Sequence, residues 1–348
     1  MEINIPSLLR IKPEALPRIG KYLRNEQFAK VAIFWGTGIK ELFAKTVNIS
    51  LDSSDISVLQ EQETDTHDID AIFKAAKDVP FGVDAIVGIG GGTVIDYCKY
   101  LSLVTQIPVF VVPTLISNDA FASPISSLKI DGKRKSVKSS VPHAVIIDTD
   151  IISSAPQKYI YSGMGDLLAK TTAIYDWKLA YRKHKHPVND FAATVSQNAA
   201  DTFSYFADKD LNNPEYLQVI TSSLLMTGIA MIIAGGSRPA SGSEHLISHA
   251  YDSLATTPSL HGLQVGVASY AVSYVQGATH DRVKKDLCAS GFLQYMQKHP
   301  LTKTDFIAAI QKAPKIKENF YTILSESEAV DKLLAFVESD PWMQAMVV

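Results

Sequence analysis

The chain has 348 residues, with 33 Lys and Arg against 36 Asp and Glu, a net charge of −3, and 46% apolar residues. This is the composition of a soluble globular protein, and the near-neutral balance lacks the basic footprint that nucleic-acid binding leaves, so no nucleic-acid partner is expected. Two cysteines, Cys98 and Cys288, exclude a disulfide framework and paired zinc-ligand spacing.

At roughly 100–200 residues per domain, two domains sharing a cleft are expected. The first stretch, residues 1–17, lacks the charged head and long apolar run of a secretory signal. Strand-like runs then alternate with helical ones. Lys30–Trp35, Asp84–Ile89, Val109–Pro113 and Ala144–Asp148 are nearly continuous, β-branched apolar runs, the pattern of parallel strands buried on both faces. Ile69–Lys77 and Val94–Val104 carry helical spacing. The alternation predicts a doubly wound, Rossmann-like α/β domain over residues 1–155. After Asp150 the texture is helical: Ser162–Trp177, Val188–Ala207, Glu215–Ala234, Ser243–Thr256, then Gly266 onward. A mostly α-helical domain over residues 156–348 is expected. Leu224–Ala234, the most apolar stretch, is about half of the roughly 20 residues a bilayer span needs, so no membrane span is expected. A reduced, cytoplasmic protein fits these features.

The first motif with chemistry is Gly88-Ile-Gly-Gly-Gly-Thr-Val-Ile-Asp96, which follows a strand and opens a helix. Glycines allow close backbone approach and helix N-terminal amides favour anionic oxygen, so a pyrophosphate is the natural guest; the plainer reading is a tight turn. Asp96 either reaches a polar ligand or complements the helix dipole. Gly36-Thr-Gly38 is a weaker dinucleotide fingerprint, because position 41 is Glu. With no acidic residue at that strand end to repel a 2′-phosphate, NADP is expected to be accepted as well as NAD. Val112–Pro124 ends a strand in a loop dense in hydroxyls and amides, which suits either a polar ligand or loop self-stabilisation.

His245 and His249 are four apart and share a helix face, and His261 follows about a dozen residues later. Gly163-Met-Gly-Asp166 offers a carboxylate. Two imidazoles and a carboxylate suit a catalytic Zn²⁺ or Fe²⁺, and ordinary surface or core histidines are the alternative. His184 and His186 belong to a solvated basic turn, and His67, His143, His280 and His299 stand alone without a role. Lys129, Lys133, Arg134, Lys135 and Lys138 form a basic segment, either a solvated hairpin or a phosphate contact. Arg238 lies in a glycine-rich turn leading into the histidine helix. Trp177 and Tyr251 are expected to pack, and Cys98 to be buried and inert.

Together these segments resemble the sn-glycerol-1-phosphate dehydrogenase family, within the group of iron-type alcohol dehydrogenases, glycerol dehydrogenases and dehydroquinate synthases. The resemblance runs from about Lys30 to about Tyr270. Its most specific part is Ser237-Arg-Pro-Ala-Ser-Gly-Ser-Glu-His-Leu-Ile-Ser-His249, supported by Gly163–Asp166, Asp176–Ala180 and His261–Gly266. It implies a dehydroquinate synthase-like fold, with the helical domain binding metal and substrate. Asp166, His245 and His261 would bind Zn²⁺, with Fe²⁺ or Ni²⁺ as alternatives. Asp119, Asp166 and His249 would contact substrate, the last two as catalytic groups. Gly91, Gly92, Thr93, Val94, Asp96, Thr114, Ser117 and Ser123 would bind NAD(P)H. The implied reaction, a step of phospholipid metabolism, is reversible reduction of dihydroxyacetone phosphate to sn-glycerol 1-phosphate by a homo-oligomer. Glycerol dehydrogenase, a dehydroquinate synthase-like cyclase and a nucleotide-binding sensor without turnover are the alternatives. Two departures stand out: the family loop Ser-His-Asp-Gly is Ser117-Asn-Asp-Ala120 here, and the segment Lys129–Lys138 is less like the family than its surroundings.

Overall fold

The computed structural model describes residues 4–348; Met1, Glu2 and Ile3 of the N-terminal stretch lie outside the described residues. The chain divides into two compact units. One runs to Ile116 and resumes over Ala120–Ala155; the other joins Ser117–Asp119 to Pro156–Val348.

The first unit is built on strands β1 (Leu8–Lys12), β2 (Lys30–Trp35), β3 (Ser57–Glu63), β4 (Ala85–Gly90), β5 (Val109–Pro113), β6 (Ile125–Ile130), β7 (Lys133–Lys138) and β8 (Ala144–Asp148). Six of them form one sheet in the order β1-β8-β5-β4-β2-β3, and its pairings are parallel. β6 and β7 form a separate antiparallel hairpin. Helices α1 (Ile19–Asn25), α2 (Ile39–Asp52), α3 (Ile69–Asp78), α4 (Gly92–Thr105) and α5 (Thr149–Ser154) complete the unit.

Side chains alternate along each strand, so a strand covered on both faces must be apolar throughout. β2 shows the consequence. Val31, Ile33 and Trp35 join a core with Leu23, Val47 and Leu51, while Phe34 meets Tyr97 of α4 with ring centroids 5.5 Å apart. β4 and β5 lie centrally and end together, the amide of Thr114 donating to the Gly90 carbonyl at 3.0 Å. Gly90 has φ +150°, and a Cβ there would come within 2.7 Å of Val94 and 3.1 Å of the Gly36 amide. Only glycine permits this backbone and this approach. The constraint places the amino end of α4 at the carboxyl edge of the sheet, where doubly wound folds bind ligands.

The second unit is helical: α6 (Gln157–His184), α7 (Asp190–Tyr205), α8 (Pro214–Ala234), α9 (Ser243–Asp252), α10 (His261–Gln276), α11 (His280–Ala289), α12 (Phe292–Lys298), α13 (Lys303–Lys312), α14 (Ser327–Ser339) and α15 (Pro341–Met346). α6 and α10 pack backbone to backbone. A Cβ on Gly165 would lie 1.9 Å from the Gly262 carbonyl oxygen, and a Cβ on Gly262 would lie 1.9 Å from the Ser162 oxygen.

α8 extends the apolar stretch noted in the sequence. Its 21 residues reach the length and apolarity of a bilayer span, where the Leu224–Ala234 stretch alone falls short. Tyr216, Leu217, Ile220, Leu224 and Met231 are nonetheless buried within the unit, as in a core helix. β1 and β3 do not appear among the strand-like runs of the sequence, whereas the β6–β7 hairpin includes the basic Lys129–Lys138 segment, for which a solvated hairpin is one of the two sequence readings. β1 and β3 are the edges of the sheet, and β3 (SVLQEQE) is largely exposed, which removes the apolar continuity that marks the interior strands.

Candidate active site

α6 carries Asp166, α9 carries His245 and His249, and α10 begins with His261. One oxygen of Asp166 and one ring nitrogen each of His245 and His261 lie within 4.8 Å of one another. Asp166 and His245 are buried and His261 is half-buried. Three convergent donors of one carboxylate and two imidazoles match the ligand chemistry of catalytic zinc and related divalent ions.

The hydrogen bonds behind the imidazoles decide which nitrogens face inward. His245 Nδ1 is 2.9 Å from Glu244 Oε1, and Glu244 also accepts from Thr172 Oγ1 at 2.8 Å and from the Gly242 amide. His261 Nδ1 is 3.0 Å from Ser248 Oγ, and that hydroxyl donates to Gln264 Oε1 at 2.7 Å. The Gln264 amide group in turn donates to Asp252 Oδ1 and to the Ser259 carbonyl, which fixes its orientation. Ser248 has a single hydrogen, already given to Gln264, so it accepts from His261 Nδ1–H. Both histidines therefore spend Nδ1 on the protein and turn Nε2 to the site, the arrangement that orients metal-binding imidazoles.

Lys170, one turn after Asp166, is fully buried. Its Nζ donates to Asp166 Oδ1 at 2.8 Å and to Asp119 Oδ2 at 3.2 Å. Asp119 also lies 2.9 Å from Thr227 Oγ1, and its amide donates to Asp166 Oδ2 at 3.1 Å. Burial alone would raise the pKa of Asp166, but the Lys170 ammonium and His245 hold its carboxyl well below the usual range. Burial, reinforced by Asp166 and only partly offset by Lys170, pushes Asp119 up. Burial and the neighbouring His245 and His249 push His261 well below the ordinary imidazole value, leaving it neutral and able to donate a lone pair. His249 is exposed and stacks on His261 with ring centroids 5.8 Å apart.

A buried carboxylate pair backs the site. Asp176 accepts from the Ser243 amide at 2.8 Å and the Ile323 amide at 3.0 Å, and burial together with the charge of Glu244 raises its pKa to about 7. Neither Lys170, Glu244, Ser248, Gln264 nor Asp176 stands out in the sequence as a site residue. Glu244 is visible only as one member of the Ser237–His249 segment.

In the first unit, Gly91, Gly92, Thr93 and Val94 surround the amino end of α4, whose N-cap, Gly91, provides no side-chain cap. Thr114 follows β5, and its buried hydroxyl has no hydrogen-bond partner among the described residues. Asp96 and Ser123 face inward. The Asp96 carboxylate binds Lys99 Nζ at 3.2 Å and the Ser127 amide at 3.0 Å, and Ser123 Oγ donates to the Ile125 carbonyl. Ser117 belongs to the second unit, where its carbonyl accepts from Ser162 Oγ at 2.8 Å, and Ser162 Oγ also receives the Gly262 amide at 3.2 Å. Arg238 ties down the C-terminal chain, donating to the Tyr321 carbonyl at 2.7 Å with its guanidinium over Phe320. Trp177 packs and donates to Pro187, and Cys98 is buried.

A family model described as iron-containing alcohol dehydrogenase matches residues 10–156. The glycerol-1-phosphate dehydrogenase (NAD(P)+) of Methanosphaera stadtmanae is 41% identical over 220 residues, which are 63% of this chain and 62% of that protein. The enzyme of that name from Nitrosopumilus maritimus is 32% identical over 332 residues, 95% of this chain and 93% of its own. Among solved structures, glycerol dehydrogenase from Schizosaccharomyces pombe superposes with a TM-score of 0.78 at 17% identity, over 99% of this chain and 92% of that one, so the fold is shared. With two relatives above 30% identity, one of them matched nearly end to end, this chain belongs to the glycerol-1-phosphate dehydrogenase family of iron-containing alcohol dehydrogenase-like enzymes.

Proposed function

We propose that the chain is a metal-dependent, NAD(P)-linked dehydrogenase that reversibly reduces dihydroxyacetone phosphate to sn-glycerol 1-phosphate. The observation that carries the reading is the Asp166–His245–His261 donor set, with both imidazoles turned by their Nδ1 partners to offer Nε2. The donors suit Zn²⁺, with Fe²⁺ or Ni²⁺ as alternatives. A divalent cation held there supplies electrophilic polarisation of a substrate oxygen.

The protein's own groups do the rest. Residues 1–155 bind the dinucleotide, and residues 156–348, joined by Asp119, bind metal and substrate. Gly91, Gly92, Thr93 and Val94 offer backbone amides to the pyrophosphate, and Thr114, Ser117 and Ser123 complete the cofactor site. Asp96 acts through the hairpin that its carboxylate anchors. Asp119, held by Lys170 and Thr227, accepts a substrate hydroxyl. His249 is exposed beside His261 and carries a proton on its imidazole between substrate oxygen and water. We place the protein in the cytoplasm, consistent with free thiols at both Cys98 and Cys288.

The test loads the protein with Zn²⁺ and follows NADH or NADPH oxidation with dihydroxyacetone phosphate or dihydroxyacetone at equal concentration. The phosphate ester is expected to be strongly preferred. Preference for the free ketone would make the chain a glycerol-type dehydrogenase, and substrate conversion without net cofactor oxidation would make it a cyclase. Asp166→Asn or His245→Ala should remove bound metal and activity together.

A further inference from the structure

His67 and the basic side chains of the hairpin that Asp96 anchors have no part in the chemistry above, yet His67 and Arg134 meet at the amino end of α4. His67 Nδ1 is 3.1 Å from the Ser127 carbonyl, so Nδ1 carries the hydrogen. Its Nε2 lone pair is then approached by two donors at once: Thr93 Oγ1 at 3.1 Å and Arg134 Nη2 at 3.0 Å. Burial and the Arg134 charge lower the pKa of His67, which keeps that lone pair available.

The hairpin is fixed in this position. Lys99 Nζ is fully buried and donates to the carbonyls of Ala120 and Ile125, Asp96 takes the Ser127 amide, and the Lys129 amide donates to the His67 carbonyl at 2.7 Å. Arg134 pairs with Lys129 across the ladder, so its place on the hairpin follows from the register.

One nitrogen lone pair cannot satisfy a hydroxyl and a guanidinium together. The same corner holds the uncapped amides at the start of α4, and a Cβ on Gly92 would meet nothing within 4 Å. Thr114, buried and joined through its amide to Gly90, adds a hydroxyl with no partner among the described residues. Donors outnumber protein acceptors at this corner, and with Arg134 exposed to solvent an incoming anion can reach them.

We propose that Arg134, steered by His67 and Thr93, is a phosphate-contacting residue of the dinucleotide site. The proposal rests on the NAD(P) reading and adds to it a group that reads cofactor charge. Its ligand is a phosphate of the adenosine half, either the pyrophosphate or a ribose 2′-phosphate. His67 acts as a positioning residue, since its Nε2 accepts from the guanidinium and thereby orients it.

Binding titrations separate the sources without requiring turnover. Adenosine, ADP-ribose and 2′-phospho-ADP-ribose are titrated against the unsubstituted protein, Arg134→Gln, Arg134→Lys and His67→Phe. Arg134→Gln should weaken at least one phosphorylated ligand about tenfold or more while leaving adenosine unchanged, with partial recovery in Arg134→Lys. Equal loss for ADP-ribose and its 2′-phosphate identifies the pyrophosphate; loss confined to the latter identifies the 2′-phosphate. His67→Phe should show a smaller loss of the same selectivity. The proposal is overturned by unchanged binding of both phosphorylated ligands, or by an equal loss for adenosine, which would mark a structural role. If the phosphates behave as expected but the loaded enzyme reduces no ketone, the dehydrogenase reading fails and the phosphate site stands.

Discussion

Lys170 stands one helical turn after Asp166, and its ammonium donates to the carboxylate at 2.8 Å with no solvent exposure at either side chain beyond 2%. The ammonium also contacts Asp119, so one positive charge faces two carboxylates inside the helical unit. Removing one member of such a buried cluster leaves an uncompensated charge. Lys170→Met should therefore cost about 3–5 kcal/mol of stability in the metal-free protein. A divalent ion supplies positive charge to the same carboxylates, so Zn²⁺ should recover much of the loss. Thermal unfolding with and without Zn²⁺ checks this, and an equal deficit in both conditions would contradict it.

Ser248 sits behind His261, accepting its Nδ1 hydrogen and donating to Gln264. Ser248→Ala leaves the imidazole free to turn or to change tautomer and strands Gln264 Oε1. Loss of such an orienting partner typically costs about 10–100-fold in metal affinity. The expected outcome is a loss of that size in calorimetric Zn²⁺ titration, largely restored by Ser248→Thr. Unaltered affinity in the alanine variant would show that His261 is held by packing alone.

The interior strands were legible in the sequence because burial on both faces leaves continuous apolar runs. Lys30–Trp35, Val109–Pro113 and Ala144–Asp148 coincide with β2, β5 and β8. β7 (KRKSVK) carries no such mark, since it is charged and mostly exposed and pairs with β6, which Lys99 and Asp96 hold from far in the sequence. In the site, the histidine spacing and the Gly163–Asp166 carboxylate brought out Asp166, His245, His249 and His261 together, whereas the choice of His261 over His249 as metal ligand came only through family resemblance. Glu244 was hidden by its adjacency to His245, because neighbouring residues on a helix do not normally face each other. Lys170 looked like one more helical lysine, and its burial against Asp119 and Asp166 exists only once distant segments pack.

Asp176 gives the helical unit a pH dependence of definite sign. Burial and the charge of Glu244 raise its folded-state pKa from 3.8 to about 7. The folded state thus keeps a proton that the unfolded chain has released between pH 3.8 and about 7, so stability falls as pH rises through that window and levels off above it. The full span is on the order of 4 kcal/mol. Asp176→Asn holds the neutral form, and its unfolding midpoint in urea should decline less between pH 5 and pH 7 than that of the unsubstituted protein. If both proteins decline alike, another group titrates.

The contact of α6 with α10 joins packing to chemistry most directly. Gly165 immediately precedes Asp166, Gly262 immediately follows His261, and the two glycines are where the helix backbones touch. A methyl group on Gly262 would lie 1.9 Å from the Ser162 carbonyl oxygen, so α10 must move away from α6 to admit it. Overpacking of this kind typically costs about 1–3 kcal/mol. The same movement carries His261 away from Asp166, so the metal site should suffer out of proportion to the fold. Gly262→Ala is expected to remain folded with a lowered melting temperature and to bind Zn²⁺ at least about tenfold more weakly, since metal sites depend on ligand geometry. Gly236→Ala, where a Cβ meets nothing within 4 Å, is the control and should change neither quantity. A Gly262→Ala protein that melts lower yet binds Zn²⁺ normally would show that the three ligands do not depend on the close helix crossing.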